Sequence, residues 1–298
     1  MTPANRTLTG IALMLCAMAM LPFLDVVAKF LGQQGVPVVQ IVWARMTLGC
    51  VMTLPFAIRI GGAESLLPAR PIMHAFRAAF LIAATGFFFW GLKFTSIAGM
   101  LSIFFVYPLA LTMLSPFVLG EKVGIRRWTA VVIGFIGTLI IIRPGFQEFN
   151  AGAVLALAAG ASFACYMLMT RRISGSDHAM LTTFHTNLAG AVLTSLVVVF
   201  FWKAPTAFEW SMFVLLAAIA ATGHYFIVRA YEYAEASLLA PLAYTEIITA
   251  IVAGWWFFGD FPDGWAFVGV SILIACAIYI SFRERVRRIP ASHEFEQL

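Results

Sequence analysis

The sequence predicts an all-α integral membrane protein, with ten transmembrane helices that form two inverted five-helix repeats. Three observations lead to this prediction: the composition, a series of ten apolar runs, and a likeness between the two halves of the chain. Hydrophobic residues occupy 62% of the 298 positions and charged residues only 11%. A soluble domain of this length cannot bury so large an apolar fraction, so much of the surface must lie in lipid.

Ten apolar runs follow one another with short connections, which leave no room for a soluble domain. At ~1.5 Å rise per residue, about 20 helical residues cross the ~30 Å hydrocarbon core of a bilayer. The first run is too long for the core of a secretory signal and carries Asp25 and Lys29, so we expect it to be retained as a span. The runs lie at residues 8–31, 37–60, 72–92, 97–119, 128–143, 150–170, 181–202, 209–228, 238–258 and 264–282.

The second half of the chain repeats the pattern of the first at an offset of about 139 residues. The stretch AGMLSIFFVYPLALTMLSPFVLGE (98–121) corresponds to SLLAPLAYTEIITAIVAGWWFFGD (237–260), and both end in Gly followed by an acidic residue. Five is an odd number of spans, so the second half must cross the membrane in the opposite sense, as in many transporters. We therefore predict repeats at residues 8–144 and 150–282, followed by a cytoplasmic tail at 283–298.

The distribution of basic residues predicts that both termini are cytoplasmic. With the amino terminus inside, thirteen Lys and Arg residues fall in inner loops and the tail, and only three in outer loops. Cytoplasmic loops carry this excess in membrane proteins. The net charge of +5 is therefore explained by topology, and no nucleic-acid partner is expected.

Other residue patterns favour helix packing over chemistry. The four cysteines lie in apolar runs without a CxxC pair, which indicates small buried side chains, not disulfides or metal ligands. No HExxH, GxSxG or Walker motif is present, so we expect no enzymatic activity, no metal, no cofactor and no direct use of ATP. A small-residue stripe predicts close helix contact within the bundle in preference to a dimer interface, hence a monomer or weak dimer. The stripe consists of Gly152, Ala156, Gly160 and Ala164.

These residues resemble a known family. Two five-span halves, each closing its fourth span with Gly-Glu or Gly-Asp, resemble the drug/metabolite transporter superfamily, and within it the ten-helix permeases made of two EamA-type repeats. The segments GEKVGIRRWTAVVIGFIGTLIIIRPG and FGDFPDGWAFVGVSILIACAIYI carry much of the likeness. The run LPFLDVVAKFLGQQGVPVVQIVWARM (21–46) is similar to a subgroup that includes bacterial riboflavin transporters.

The resemblance implies that the two inverted five-helix repeats surround a central cavity. It also implies a permease of the bacterial inner (cytoplasmic) membrane that moves a small organic metabolite by alternating access. The subgroup implies uptake of riboflavin or a similar aromatic vitamin, with protons as a candidate coupling ion. Two alternatives remain open at this point. One is an exporter of amino acids or other metabolites, and the other is a membrane enzyme or a non-transporting scaffold.

Asp25, Lys29 and Arg45 place charge within the first two spans. A charge in a span costs roughly 2.5–3.5 kcal/mol on insertion scales, so each needs a partner or a water-filled cavity. Asp25 and Arg45 have comparable depths on adjacent antiparallel helices, which predicts a gating ion pair that Lys29, one helical turn away, can share. The alternatives are a structural pin between the two spans, or an Arg45 that binds a planar imide, carboxylate or phosphate of the solute.

Glu246 lies near the middle of the ninth span, with Tyr244 two residues earlier. We expect Glu246 to hydrogen-bond to solute or to couple transport to protons, the alternative being a protonated carboxyl satisfied by a neighbouring helix. Trp90 and Tyr107 lie on spans that we expect to line the cavity, where flat rings suit an aromatic, heterocyclic solute, although lipid contact or helix packing is the alternative for each. The residues predicted to bind solute or to couple transport are thus Asp25, Arg45, Trp90, Tyr107, Tyr244 and Glu246.

Prolines and histidines give two smaller predictions. Prolines inside the first, fourth and ninth spans (Pro22, Pro108 and Pro241) should kink or loosen those helices. His185 and His224 fall near the cytoplasmic ends of their predicted spans, where we expect interfacial imidazoles in contact with water.

Overall fold

The computed structural model describes residues 3–120, 125–142, 151–173, 178–234 and 239–288, and within these ranges the regular secondary structure is all helical, without a β-strand. Short 3₁₀ segments lie at Ala63–Leu66, Val199–Phe201 and Ala240–Tyr244. The α-helices are α1 (Pro3–Gln33), α2 (Val38–Gly61), α3 (Pro71–Gly91), α4 (Ile97–Phe104), α5 (Tyr107–Leu119), α6 (Ile125–Ile142), α7 (Ala151–Ile173), α8 (Ala179–Val198), α9 (Ala207–Tyr233), α10 (Thr245–Phe258) and α11 (Gly264–Arg288).

These helices make the ten spans that the sequence predicts. Seven helical segments in the described part of the chain are long and apolar enough to cross a membrane, with α4 and α5 counted together, and α6, α10 and α11 each contribute a shorter apolar helix. Successive spans run in alternate directions. The end of the bundle at which α1 begins and α11 ends is called the terminal end below, and the end at which α1 finishes is the opposite end.

Helix packing follows the duplication. The counterparts in the two halves are α1 and α7, α2 and α8, α3 and α9, the α4–α5 and 3₁₀–α10 spans, and α6 and α11. α1 packs against α9, and its counterpart α7 packs against α3 in the same way. α2 packs against its own counterpart α8, and α6 packs against its own counterpart α11. Exchanging the halves leaves this pattern unchanged, as an inverted repeat requires. The predicted fold class is confirmed.

The fourth and ninth spans are both interrupted, and their interruptions meet inside the bundle. Pro108 stands in the first turn of α5, and Pro241 in the 3₁₀ segment before α10. A proline lacks the N–H that a continuing helix needs. The rings of Phe105 and Tyr244, one from each interruption, stack with centroids 4.8 Å apart. Pro22, by contrast, lies inside an uninterrupted α1.

The small-residue stripe on α7 packs within the bundle. Ala156 and Ala164 are fully buried. A Cβ built on Gly160 would stand only 2.9 Å from the carbonyl oxygen of Phe104, at the end of α4. The missing side chain therefore lets α7 approach the backbone of the interrupted span.

Candidate functional site

Arg45 is the cation at the centre of the bundle. From α2, one terminal nitrogen donates to Thr85 Oγ1 on α3, and the other lies 3.4 Å from His224 Nε2 on α9. Arginine can only donate, so Nε2 of His224 must accept. Thr85 and His224 occupy equivalent positions at the 139-residue offset, and the guanidinium is thus held by matching positions of the two halves.

The Asp25 carboxyl lies near this cation without touching it, and the Glu246 carboxyl lies near that of Asp25. Asp25 on α1 is 7% exposed and lies within electrostatic range of both Arg45 and Glu246. Among the described residues, no hydrogen bond or ion pair is made by the Asp25 or Glu246 carboxyls. The predicted direct ion pair of Asp25 with Arg45 is therefore not formed. Because neither group is held by a hydrogen bond or ion pair within the described part of the chain, both carboxyls remain able to bind a solute group.

Lys29 belongs to a different contact from the one predicted. Its Nζ donates to Asp260 Oδ2 at 2.6 Å, lies 3.4 Å from the carbonyl oxygen of Thr95, and sits 4.7 Å from the ring centroid of Phe258. Lys29 is one helical turn nearer to the opposite end than Asp25. There the residues after α10 bring Asp260 within reach. Lys29 of the first half therefore pairs with Asp260 of the second half, and not with Asp25 and Arg45 as predicted.

An aromatic cluster surrounds the interruptions, and two of the predicted aromatic residues belong to it. The Tyr107 ring lies 4.9 Å from that of Phe163 on α7 and 5.9 Å from that of Phe105, which in turn stacks on Tyr244. Trp90 lies apart from this cluster, with 51% of its surface exposed. The structure thus brings Tyr107 and Tyr244 together and leaves Trp90 half-exposed and separate from them.

A second buried polar cluster lies near the terminal end of the bundle. The rings of His74 on α3 and His185 on α8 are 5.0 Å apart, and both residues are almost fully buried. Arg77 Nε donates to Thr170 Oγ1 on α7 at 3.1 Å, and its guanidinium lies 5.3 Å from the ring centroid of Tyr166. The cluster connects α3 of the first half with α7 and α8 of the second.

Sequence reasoning predicted contact with water for both histidines, which the structure does not show, and it missed Thr85. The predicted eighth span ends at residue 228, but α9 continues to Tyr233, so His224 lies inside the bundle beside Arg45. His185 is packed against His74 and does not face water. The signal that was available is the offset itself, because it aligns Thr85 with His224 on the helices that flank Arg45.

The centre of the bundle therefore offers one guanidinium, two carboxyls from different halves and a set of stacked rings. The described residues contain no group of three or more His, Cys, Asp and Glu side chains that could hold a metal ion. Such a site can bind a carboxylate or imide, an organic cation and a flat ring together.

A ten-span bundle of two inverted halves, with ionisable groups of both halves meeting inside it, is the construction of a secondary membrane transporter. The sequence comparison agrees: residues 8–143 and 150–282 match the EamA-like transporter family, and the chain belongs to that family. The family resemblance and the assignment as a transporter that is not an enzyme are confirmed.

This chain is similar to named transporters over nearly its whole length. It is 25% identical over 295 residues to an S-adenosylmethionine uptake transporter of Rickettsia prowazekii, a match that covers 99% of both chains. It is 26% identical over 284 residues to a riboflavin transporter of Vibrio cholerae, covering 94% of this chain and 95% of that one. A crystal structure of a protein with 19% identity shares the fold, with a TM-score of 0.64 over 96% of this chain and 99% of the other.

Proposed function

We propose that this protein takes up a small aromatic zwitterion across the bacterial inner membrane by alternating access, with both termini in the cytoplasm. The single observation that carries the proposal is that Asp25 lies within electrostatic range of both Arg45 and Glu246, beside the stacked interruptions of the fourth and ninth spans. S-adenosylmethionine is the solute whose chemistry fits best.

The charges of the central groups match the groups of such a solute. The Arg45 guanidinium binds the solute carboxylate, for which its planar fork is suited. Asp25 and Glu246 bind the ammonium and the sulfonium. The purine ring packs against Tyr107 and Tyr244, as aromatic rings commonly do. Two carboxyls against one guanidinium favour a solute with net positive charge, and S-adenosylmethionine carries two cationic groups and one anionic group.

Alternating access follows from the origin of these groups. Asp25, Arg45 and Tyr107 come from the first half, and Tyr244 and Glu246 come from the second. A solute that touches both halves stabilises whichever closed arrangement brings them together, and leaves when the halves separate at either end. Glu246 is the group that we propose to exchange a proton for the solute cation. Trp90 is not included, because its half-exposed ring lies apart from the aromatic cluster.

Riboflavin is the second candidate. It is favoured by the aromatic cluster and by the similarity to a transporter named for it. The isoalloxazine ring would stack on Tyr107 and Tyr244, and its imide would face Arg45. Riboflavin carries no cation, so its transport would depend much less on Asp25 and Glu246.

Proteoliposome uptake tests the proposal. Labelled S-adenosylmethionine, riboflavin and S-adenosylhomocysteine, which lacks the sulfonium, are each supplied with and without an imposed pH gradient. We expect saturable S-adenosylmethionine uptake and clearly weaker uptake of S-adenosylhomocysteine. Saturable uptake of riboflavin alone would select the second candidate, and efflux only from preloaded vesicles would establish an exporter. No flux of any of the three would overturn the proposal.

A further inference from the structure

A cavity of about 490 Å³ opens at the opposite end of the bundle, away from the central groups. Its volume lies within the range of ~300–1,000 Å³ that small-molecule sites occupy. The last turns of α1, the end of α3 and the residues before α4 form its walls, together with Asp260 of the second half. The polar and aromatic groups that line it include Lys29, Lys93, Thr95, Asp260, Phe89 and Phe94.

Lys93 supplies a free positive charge at the mouth of this cavity. Its side chain is exposed and passes over Gly32 of α1, where an added Cβ would lie 4.0 Å from Lys93 Cε. In the described ranges of the chain, its ammonium group has no hydrogen bond or ion pair. An ammonium without a carboxylate partner at the rim of a cavity attracts anionic groups from solution.

Lys29 supplies a second ammonium, deeper in the cavity, and its partner is replaceable. The side chain of Lys29 is 10% exposed, whereas that of Asp260 is 33% exposed and reachable from the cavity. Their 2.6 Å contact joins α1 of the first half to the segment after α10 of the second. A solute carboxylate that takes the place of Asp260 replaces one ion pair of Lys29 by another of the same kind, and it removes the contact between the two halves.

We propose that this cavity is a capture site for the solute carboxylate: Lys93 binds the carboxylate first, and Lys29 then receives it from Lys93 in place of Asp260, which releases the opposite end of the bundle. The inference rests on the proposed function for the identity of the solute, and it adds a second site that selects for a carboxylate before the solute reaches Arg45. Selection at this cavity depends on the solute carboxylate, because a solute without an anionic group has no means of displacing Asp260 from Lys29.

Cysteine alkylation measures occupancy of the cavity directly. Phe94→Cys places a thiol in the cavity wall at a half-exposed position, and its reaction with a membrane-impermeant maleimide is followed in the otherwise unchanged protein, with the protein lacking this substitution as background. The probes are S-adenosylmethionine and its decarboxylated analogue. We expect S-adenosylmethionine to slow alkylation and the decarboxylated analogue not to do so.

A matched pair of lysine variants assigns the effect. Lys93→Gln removes the cavity ammonium, while Lys203→Gln removes an ammonium at the same end of the bundle but outside the cavity. We expect Lys93→Gln to abolish protection and to raise the uptake KM about fivefold with kcat unchanged, as loss of one partly screened ion pair would. Lys203→Gln should leave protection intact.

The outcomes separate this inference from the proposed function. Uptake with the same KM in Lys93→Gln and Lys203→Gln, or equal protection by the decarboxylated analogue, overturns the capture site and leaves the transporter proposal standing. Protection that depends on Lys93 without any uptake supports the capture site and overturns the proposed transport. Absence of both effects overturns both.

Discussion

Phe105 and Tyr244 stand at equivalent positions of the two halves, 139 residues apart, and their rings stack on each other at 4.8 Å with planes inclined by 30°. A residue that contacts its own counterpart lies where the two halves meet. The interrupted spans therefore touch at the pseudo-two-fold axis that relates the two repeats, next to the groups that we propose bind the solute.

This stack predicts a specific effect of removing the Tyr244 ring. Tyr244→Ala should lower S-adenosylmethionine uptake at least tenfold, because it removes both the inter-half contact and a stacking surface, each worth roughly 0.5–1.5 kcal/mol beyond burial. Tyr244→Phe retains the ring and serves as the control, with uptake near that of the parent. Proteoliposome uptake normalised to inserted protein measures both. Equal loss in the two variants would show that the hydroxyl matters and the ring contact does not.

Arg45 should discriminate between solutes by their carboxylate. Arg45→Lys keeps the positive charge but loses the planar guanidinium, which contacts the side chains of Thr85 and His224 at the same time. We therefore expect a raised KM, with uptake still detectable. Arg45→Ala should abolish saturable uptake. Because Asp25 and Arg45 do not touch, the Asp25→Ala/Arg45→Ala protein should transport no better than Arg45→Ala. A clear rescue by the double change would restore the view that the two residues act as a structural pair.

Glu246 is the test of proton coupling. Glu246→Gln keeps the size and hydrogen-bonding ability of the side chain but cannot exchange a proton. We expect normal membrane insertion together with loss of uptake or of its response to pH. The measurement is initial uptake over the physiological pH range with and without a gradient. Uptake that keeps the parent pH profile would remove Glu246 from the coupling mechanism.

The Lys29–Asp260 contact should show thermodynamic coupling in a double-mutant cycle. Asp260→Asn leaves Lys29 without its carboxylate partner, so it should lower thermal stability more than the Lys29→Gln/Asp260→Asn protein does. Because Asp260 is one-third exposed, we expect a coupling free energy of only ~1 kcal/mol or less. Unfolding in detergent provides the readout, and additive effects of the two changes would show that the contact contributes nothing.

The close approach of α7 to α4 can be tested by replacing Gly160 on α7, with Gly86 on α3 as the control position. Gly160→Ala places a Cβ 2.9 Å from the Phe104 carbonyl oxygen, so it should destabilise the protein by ~1–3 kcal/mol. A Cβ on Gly86 meets nothing within 4 Å. Gly86→Ala should therefore be neutral or stabilising by up to ~1 kcal/mol, since alanine favours helix. The midpoints of thermal unfolding compare the two, and similar midpoints would contradict the close approach of α7.

Much of the architecture is readable from the sequence because its signals are local. Apolar runs of membrane length locate spans, and an offset such as that between the 98–121 and 237–260 stretches reveals duplication without any tertiary information. A helix end that depends on packing is not predicted in this way. The sequence placed His224 at the membrane interface, but α9 continues beyond residue 228, because its length there is set by neighbouring helices and not by hydropathy.

By itself, the sequence determined that this is an integral membrane protein of ten spans in two inverted halves, and that Asp25, Arg45 and Glu246 lie within those spans. Only the tertiary structure decided their partners. Lys29 pairs with Asp260, 231 residues away, and Arg45 contacts Thr85 and His224 from different halves. The physical reason is that periodicity along one helix specifies which residues are embedded, whereas an ion pair forms with whichever group the packing of other helices brings within reach.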